Sequence, residues 1–256
     1  MGDLQRKNAL VLGASTPGGM GEAIARRLRK EGAEVVVSAR NANHLETLAR
    51  DIGVTEIPAD ITDSAQIRAL IDRTTKLLGR LDIVINAVGR APRVPIREFT
   101  EAHLLEMARL HFVGPAMLIK HAAEALVEGG ALVNISSLCA YDALSGIVGY
   151  AASKCAGDRI IQGAAIEYRN RRLRINGLVP SLVLTELSRQ GMRNYGADPE
   201  AFERSYADLT PLGRIATVAD IAAMACMMVR DEYFETGQIV FCTGGNALLG
   251  QPRTLA

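Results

Sequence analysis

Short, continuous runs of Val, Ile, Leu and Ala recur along this chain between amphipathic stretches of helical length, and they limit its fold more than any other feature. The runs fall at 9–12, 35–37, 54–57, 83–85, 131–135, 175–179 and 239–241. They do not alternate apolar with polar residues, as a half-solvated strand would. Both faces must therefore be covered, which is the situation of parallel strands packed between helices. Helical patterns fill the intervals, among them 22–31, 64–78, 104–127 and 218–229. This alternation predicts an α/β fold, a doubly wound parallel sheet of seven strands.

No linker, low-complexity tract or internal repeat divides the 256 residues, so a single domain over 1–256 is expected. A net charge of +1 gives no electrostatic reason for a nucleic-acid or membrane partner and leaves a small molecule as the expected ligand. The first residues lack the apolar core of a signal peptide, and no apolar run approaches the roughly 18 residues of a membrane span. A cytoplasmic location is expected. Cys139, Cys155, Cys226 and Cys242 form no CxxC, and the four histidines show no metal-ligand spacing, so neither a disulfide framework nor a metal is anticipated.

Polar residues, Gly and Pro gather where six successive strands end, the edge at which open α/β sheets bind ligands. The first strand runs into Gly13-Ala14-Ser15-Thr16-Pro17-Gly18-Gly19-Met20-Gly21 and then a helix. Such a turn lets backbone N–H groups approach a pyrophosphate at a helix N-terminus, the signature of a dinucleotide site in a Rossmann-type fold. After the second strand the carboxylate that holds the ribose 2′-hydroxyl of NAD is missing and Arg40 is present. That favours NADP(H), with NAD(H) still possible, unless Arg40 is only a solvated residue at a helix start. After the third strand Asp60-Ile61 is placed to meet an adenine, although capping of the next helix near Asp63 also accounts for acids there. The fourth strand ends in Asn86-Ala87-Val88-Gly89 and the fifth in Asn134-Ile135-Ser136-Ser137.

Thirteen residues beyond Ser137 lies Tyr150-Ala151-Ala152-Ser153-Lys154. Residues four apart share a helix face, so a phenol and an ammonium would point the same way. A positive charge within about 4–6 Å favours phenolate, which would bring the tyrosine toward proton exchange near neutral pH. By itself the pair is also what any solvated helix carries.

Taken together, the Gly13–Gly21 loop, Asp60, Asn86–Gly89, Ser137, Tyr150/Lys154, Pro180-Ser181 to Thr185, Pro211-Leu212-Gly213-Arg214 and Thr236-Gly237-Gln238 to Gly244-Gly245 resemble the short-chain dehydrogenase/reductase family over nearly the whole chain, including its 3-oxoacyl-carrier-protein reductases. The resemblance implies that Tyr150 is the general acid/base, that Ser137 holds the substrate oxygen, and that Lys154 binds the nicotinamide ribose and lowers the Tyr150 pKa. It also implies that Gly13, Ser15, Gly19, Met20 and Gly21 cradle phosphates and that Asp60 and Ile61 meet adenine. Asn86 and Gly89 would reach the adjoining ribose, with Pro180, Val183 and Thr185 at the carboxamide end. A homotetramer packed partly through the small-residue helix 150–168 is implied as well.

Three departures from the family pattern stand out. The glycine loop is two residues longer than usual between Gly13 and Gly19, and the usual Asn-Asn-Ala-Gly reads Asn86-Ala87-Val88-Gly89. The third is His111, which occupies the place of the Asn that positions a relay water. A neutral imidazole has one donor and one acceptor and would hold that water, or His111 is a satisfied core histidine. The substrate pocket is expected from Leu138, Cys139, Tyr141, Leu144, Val88, Ser181, Leu182, Leu187 and Met192 around Ser137 and Tyr150. Its apolar character suits a lipophilic or cyclic ketone or secondary alcohol. The segment at about 182–210, with Gly191, Met192 and Tyr195, is expected to act as a lid or else to be ordinary surface helices. Arg90, Arg93 and Arg97 lie near the same edge, a second basic run spans Arg169 to Arg174, and either would receive an acidic substrate or a carrier. The alternatives are thus a 3-oxoacyl thioester reductase, with the acyl group on carrier protein or CoA, or a catalytically idle nucleotide-binding regulator on this fold.

Overall fold

The computed structural model describes residues 4–194 and 196–249, with only the backbone at Leu187 and Gly191, so Tyr195 and the Leu187 side chain of the expected lid and pocket lie outside the described residues. Seven strands form one parallel sheet: β1 (Asn8–Leu12), β2 (Glu34–Ser38), β3 (Thr55–Glu56), β4 (Leu81–Asn86), β5 (Leu126–Ile135), β6 (Arg174–Pro180) and β7 (Ile239–Cys242). Their order is β3-β2-β1-β4-β5-β6-β7. The order reverses between β1 and β4, so the crevice at their C-terminal ends is the topological switch point where this architecture takes ligands.

Helices cover both faces. On one side α1 (Met20–Lys30), α2 (Ala42–Ile52) and, after β6, α9 (Val218–Met228) enclose Ala9, Val11, Val35, Val37, Ile83 and Ile85. On the other, α3 (Ser64–Leu78), α5 (Gly114–Ala125) and α6 (Val148–Glu167) enclose Leu10, Leu12, Val36, Val84, Leu132 and Ile175. Adjacent residues of one strand thus enter two different core layers, which is why the runs are continuous. Each such aliphatic side chain contributes about 1.5–3 kcal/mol on burial. Helix boundaries are set locally: Asp63 accepts the Ala65 and Gln66 N–H groups at the start of α3, and Thr217 with Asp220 forms a capping box on α9.

Three elements differ from the periodicity. β3 has two residues rather than the four expected at 54–57. β5 begins at Leu126 instead of Ala131, with a register irregularity opposite Leu81 and Ile83. The helix expected over 104–127 is α4 (Glu101–Ala108), a five-residue π-helical turn (Arg109–Val113) and α5. Pro115 supplies the reason for the π turn, because it has no N–H to give the His111 carbonyl four residues earlier, and the ladder opens there. The widened turn packs against α6 at Gly157, where a Cβ would come within 2.6 Å of the His111 carbonyl oxygen. Beyond β6 the expected lid forms two helices, α7 (Glu186–Asn194) and α8 (Pro199–Asp208), joined by Arg189 Nη2 to Glu203 Oε2 at 2.5 Å. A short α10 (Asn246–Leu249) follows β7. Among the described residues no helix is long and apolar enough to cross a membrane.

Candidate active site

Two cavities open along the C-terminal edge of the sheet. The first, about 270 Å³, runs over the ends of β1, β2 and β4 and the loop after β3, with Gly13, Ser15, Arg40, Asp60, Ile61 and Gly89 in its wall. At Gly13 (φ +86°) an added Cβ would lie 2.6 Å from the Ala87 carbonyl carbon, and at Gly21 it would lie 2.3 Å from the Gly13 carbonyl oxygen. The loop therefore lies flat between the strand ends and α1 only because these residues have no side chain. Gly19, the N-cap of α1, offers no side-chain acceptor, so first-turn N–H groups stay available to an anion. Gly18 is not part of that donor set, because its N–H donates to Glu22 Oε2 at 3.1 Å. This cradle fits the pyrophosphate of a dinucleotide.

Arg40 extends from the end of β2 into solvent, with Nη1 3.8 Å from Asp60 Oδ2. Asp60 Oδ1 accepts the Thr62 N–H and hydroxyl, so Asp60 shapes the cleft wall while Asp63 caps α3. The capping expected near Asp63 is present. Asn86 is placed differently from the expected ribose contact: its Nδ2 donates to Asn134 Oδ1 at 2.6 Å and its Oδ1 accepts the Val88 N–H at 3.1 Å. The side chain ties β4 to β5 and sets the turn that carries Gly89 to the cleft.

The second cavity, about 280 Å³, brings together Ser137, Leu138, Cys139, Leu144 and Tyr150 with Pro180, Ser181, Leu182 and Val183 of the loop after β6. Met20, the first residue of α1, joins its wall, as do Phe202 and Tyr206 of α8. Met192 of α7 does not line it, nor does Tyr141, and Thr185 is occupied locally with its N–H donating to Ser188 Oγ at 2.8 Å. A larger cavity of about 650 Å³ lies at the opposite end of the sheet among Arg80, Asp82, Arg169 and Arg174, far from these residues.

α6 carries Tyr150, Lys154 and Asp158 on one face, and of these Tyr150 lines the second cavity beside Ser137. The Lys154 ammonium, one turn on, donates to the Ile135 carbonyl at 2.7 Å. One more turn brings Asp158, whose Oδ2 accepts the Ser136 hydroxyl at 2.7 Å and the Tyr141 hydroxyl at 2.9 Å. Sequence reasoning passed over Asp158; its spacing of four from Lys154 and eight from Tyr150 was the available signal. His111 packs edge-on against Tyr150, with ring centroids 5.0 Å apart. Its Nδ1 lies 3.1 Å from Ser153 Oγ, and its Nε2 accepts the Arg90 N–H at 3.3 Å. Because the Ser153 hydroxyl donates to the Tyr150 carbonyl at 2.7 Å, its oxygen is left to accept from His111, which places the imidazole proton on Nδ1.

The profile of the family described as enoyl-(acyl carrier protein) reductase matches residues 13–247. The chain is 32% identical over 250 residues to an L-fucose dehydrogenase of Oryctolagus cuniculus, covering 96% of this chain and 87% of that one. It is 31% identical over 235 residues to a D-threitol dehydrogenase of Mycolicibacterium smegmatis, covering 89% and 87%. A short-chain type dehydrogenase/reductase from Mycobacterium ulcerans superposes with a TM-score of 0.89 at 29% identity, over 97% of this chain and 92% of that one. The chain belongs to the short-chain dehydrogenase/reductase family. It is an oxidoreductase of a family that uses NAD(P)(H).

In this family member burial, and not charge, dominates the electrostatics of the site. Burial pushes the Tyr150 phenol above its usual range, with the neighbouring Ser137 hydroxyl opposing it. This reverses the expected sign, since Lys154 Nζ lies 6.0 Å from the ring centroid with its hydrogen bond given to Ile135. Burial pushes Lys154 itself down to about 8, against the attraction of Asp158. Burial, Lys154 and Arg90 together push His111 down to about 3. The ring is neutral, as both readings of His111 require, and its two nitrogens are engaged by Ser153 and the Arg90 N–H.

Because the folded value of His111 lies below its ordinary 6.5, the unfolded chain takes up the proton first as pH falls. Its contribution to stability is therefore full above pH 6.5 and is lost progressively toward pH 3. Replacing His111 with Gln, which keeps one donor and one acceptor, should flatten the acid side of the stability profile. Denaturant unfolding across that window checks this, and equal slopes for both proteins would assign the acid lability elsewhere.

Proposed function

We propose that the protein is an NADP(H)-dependent oxidoreductase that moves a hydride between the nicotinamide and a ketone or secondary alcohol of lipophilic or cyclic character. The observation that carries this reading is that Ser137 and Tyr150 line one mostly apolar cavity, with the buried ammonium of Lys154 one helical turn from Tyr150. A reacting carbonyl oxygen needs such a pair, an orienting donor and a proton donor. Ser137 would orient the carbonyl, and Tyr150 would deliver or receive the proton. The bound cofactor supplies the hydride and, when oxidised, a positive charge that favours phenolate. Lys154 would hold the nicotinamide ribose. The glycine loop would hold the pyrophosphate, with Asp60 and Ile61 beside the adenine and Gly89 beside the ribose.

His111 enters this reading as a positioning residue: it joins the Arg90 end of the β4 loop to Ser153, and through Ser153 to the backbone of Tyr150. The expected homotetramer is consistent with the exposed outer face of α6, where Cys155, Gly163 and Ile166 lack a covering element. A cytoplasmic location belongs to the same reading. The description of the matching family supports a second substrate class, an acyl thioester on carrier protein or CoA. The substrates in the names of the relatives, a sugar and a polyol, are more polar than this cavity wall.

Tyr150→Phe should lower turnover about 10²–10⁴-fold while NADPH binding, read by fluorescence titration, stays within about twofold of the parent. Retained turnover would refute the assignment, and a parent that binds NADPH but reduces no ketone would favour the idle regulator. Among the described residues Arg40 has only a long ion pair to Asp60, so it is open to the 2′-phosphate of NADP. Arg40→Ala should raise the KM for NADPH about tenfold and leave that for NADH nearly unchanged. Equal losses with both cofactors would remove the basis for the NADP preference.

A further inference from the structure

Three arginines follow β4, and the structure separates them. Arg90 is ion-paired with Glu106, and Arg97 Nη2 lies 3.3 Å from Glu98 Oε1. Arg93 has no carboxylate within ion-pair distance among the described residues, and its hydrogen bond, from Nη2 to the Ser145 carbonyl, is 3.5 Å long. Of the three, Arg93 alone lines the Ser137–Tyr150 cavity.

Its place there is built by two loops. The Val94 N–H donates to the Gly146 carbonyl at 2.6 Å, which joins the loop after β4 to the loop after β5. Gly146, whose φ of +81° suits a glycine, runs alongside the guanidinium, where a Cβ would meet Arg93 Nε at an ordinary contact distance of 3.5 Å. Around it the cavity wall is largely apolar, with Leu138, Leu144, Ile147, Leu182 and Phe202. Asp142, the nearby carboxylate whose charge acts on Tyr206 with the opposite sign to that of Arg93, is not part of the wall. A cation on an apolar wall without its own counter-charge gains most from an anion delivered by the ligand, and a guanidinium pairs best with a planar carboxylate.

Resting on the ketone/alcohol reading of this cavity, we infer that Arg93 binds a carboxylate at the end of the substrate remote from the reacting carbon, so that the substrate is a keto acid or hydroxy acid with an apolar body. Ser137 and Tyr150 address the oxygen that reacts, the apolar wall takes the body, and Arg93 selects the charged end. Such a contact is formed equally in the ground and transition states, so it lowers KM and leaves kcat unchanged.

The test compares 4-acetylbenzoate with its neutral methyl ester on the full-length protein saturated with NADP⁺, where binding is measured by calorimetry without turnover. The acid should bind about tenfold more tightly than the ester. Arg93→Met should remove that difference by weakening the acid alone, and Arg93→Lys should retain part of it. Equal affinities in the parent, or an acid preference that survives Arg93→Met, would overturn the inference. A preference for acetoacetyl-pantetheine 4′-phosphate over its dephosphorylated form, with none in the carboxylate pair, would also overturn it and assign the arginine to a phosphate. Addition of NADPH then tests the reading beneath it separately: Arg93-dependent binding without reduction of either ketone would sink the reductase assignment and leave the anion site standing.

Discussion

The buried ammonium of Lys154 is the constraint to which the rest of the site responds. A lone cation in a protein interior is costly unless hydrogen-bonded and faced by opposite charge. Here the Ile135 carbonyl at the end of β5 accepts from it, and Asp158, one turn along α6, supplies the charge. Asp158 in turn accepts from Ser136, the residue next to Ser137, and from Tyr141 in the loop beyond. One helix face therefore fixes the lysine, the strand end and the start of the substrate loop together. Tyr150 and Ser137 reach their mutual geometry as a consequence.

On the opposite side of Tyr150 a second chain of contacts performs the same service with a neutral group. The π turn created around Pro115 carries His111 against α6, and Gly157 admits the close approach of the His111 backbone. The imidazole then links the Arg90 backbone, at the cofactor cleft, to Ser153 and the Tyr150 carbonyl. Its neutrality matters here, because an imidazolium between Lys154 and Arg90 would add a third positive charge to a site already difficult to solvate. The cleft and the Tyr150 face of α6 are thus joined by the hydrogen bonds of a neutral ring.

Much of this was legible in the sequence where a single residue type answers a single local demand. Continuous apolar runs identified five of the seven strands closely, and glycines at a strand-to-helix turn marked the cleft. What was not legible depends on neighbours across the fold. The loss of an N–H at Pro115 becomes a π turn only when a helix such as α6 packs beside it. Asn86 reads as a ligand contact until Asn134 is seen across the β4–β5 pair, where each uses the other. Arg90, Arg93 and Arg97 are equivalent as a basic run and become distinct only when Glu106 and Glu98 occupy two of them. The burial that raises the Tyr150 pKa was not legible for the same reason, since spacing reports proximity to Lys154 and not desolvation.

The measurement that bears most directly on this account is a titration of the Lys154 ammonium by ¹⁵N NMR in the parent protein and in Asp158→Asn. Burial opposed by Asp158 predicts a midpoint of about 8 in the parent and a lower one in the variant, where the opposing charge is gone. A midpoint at the ordinary 10.5, unmoved by the substitution, would contradict it and show that the lysine is neither desolvated nor coupled to Asp158.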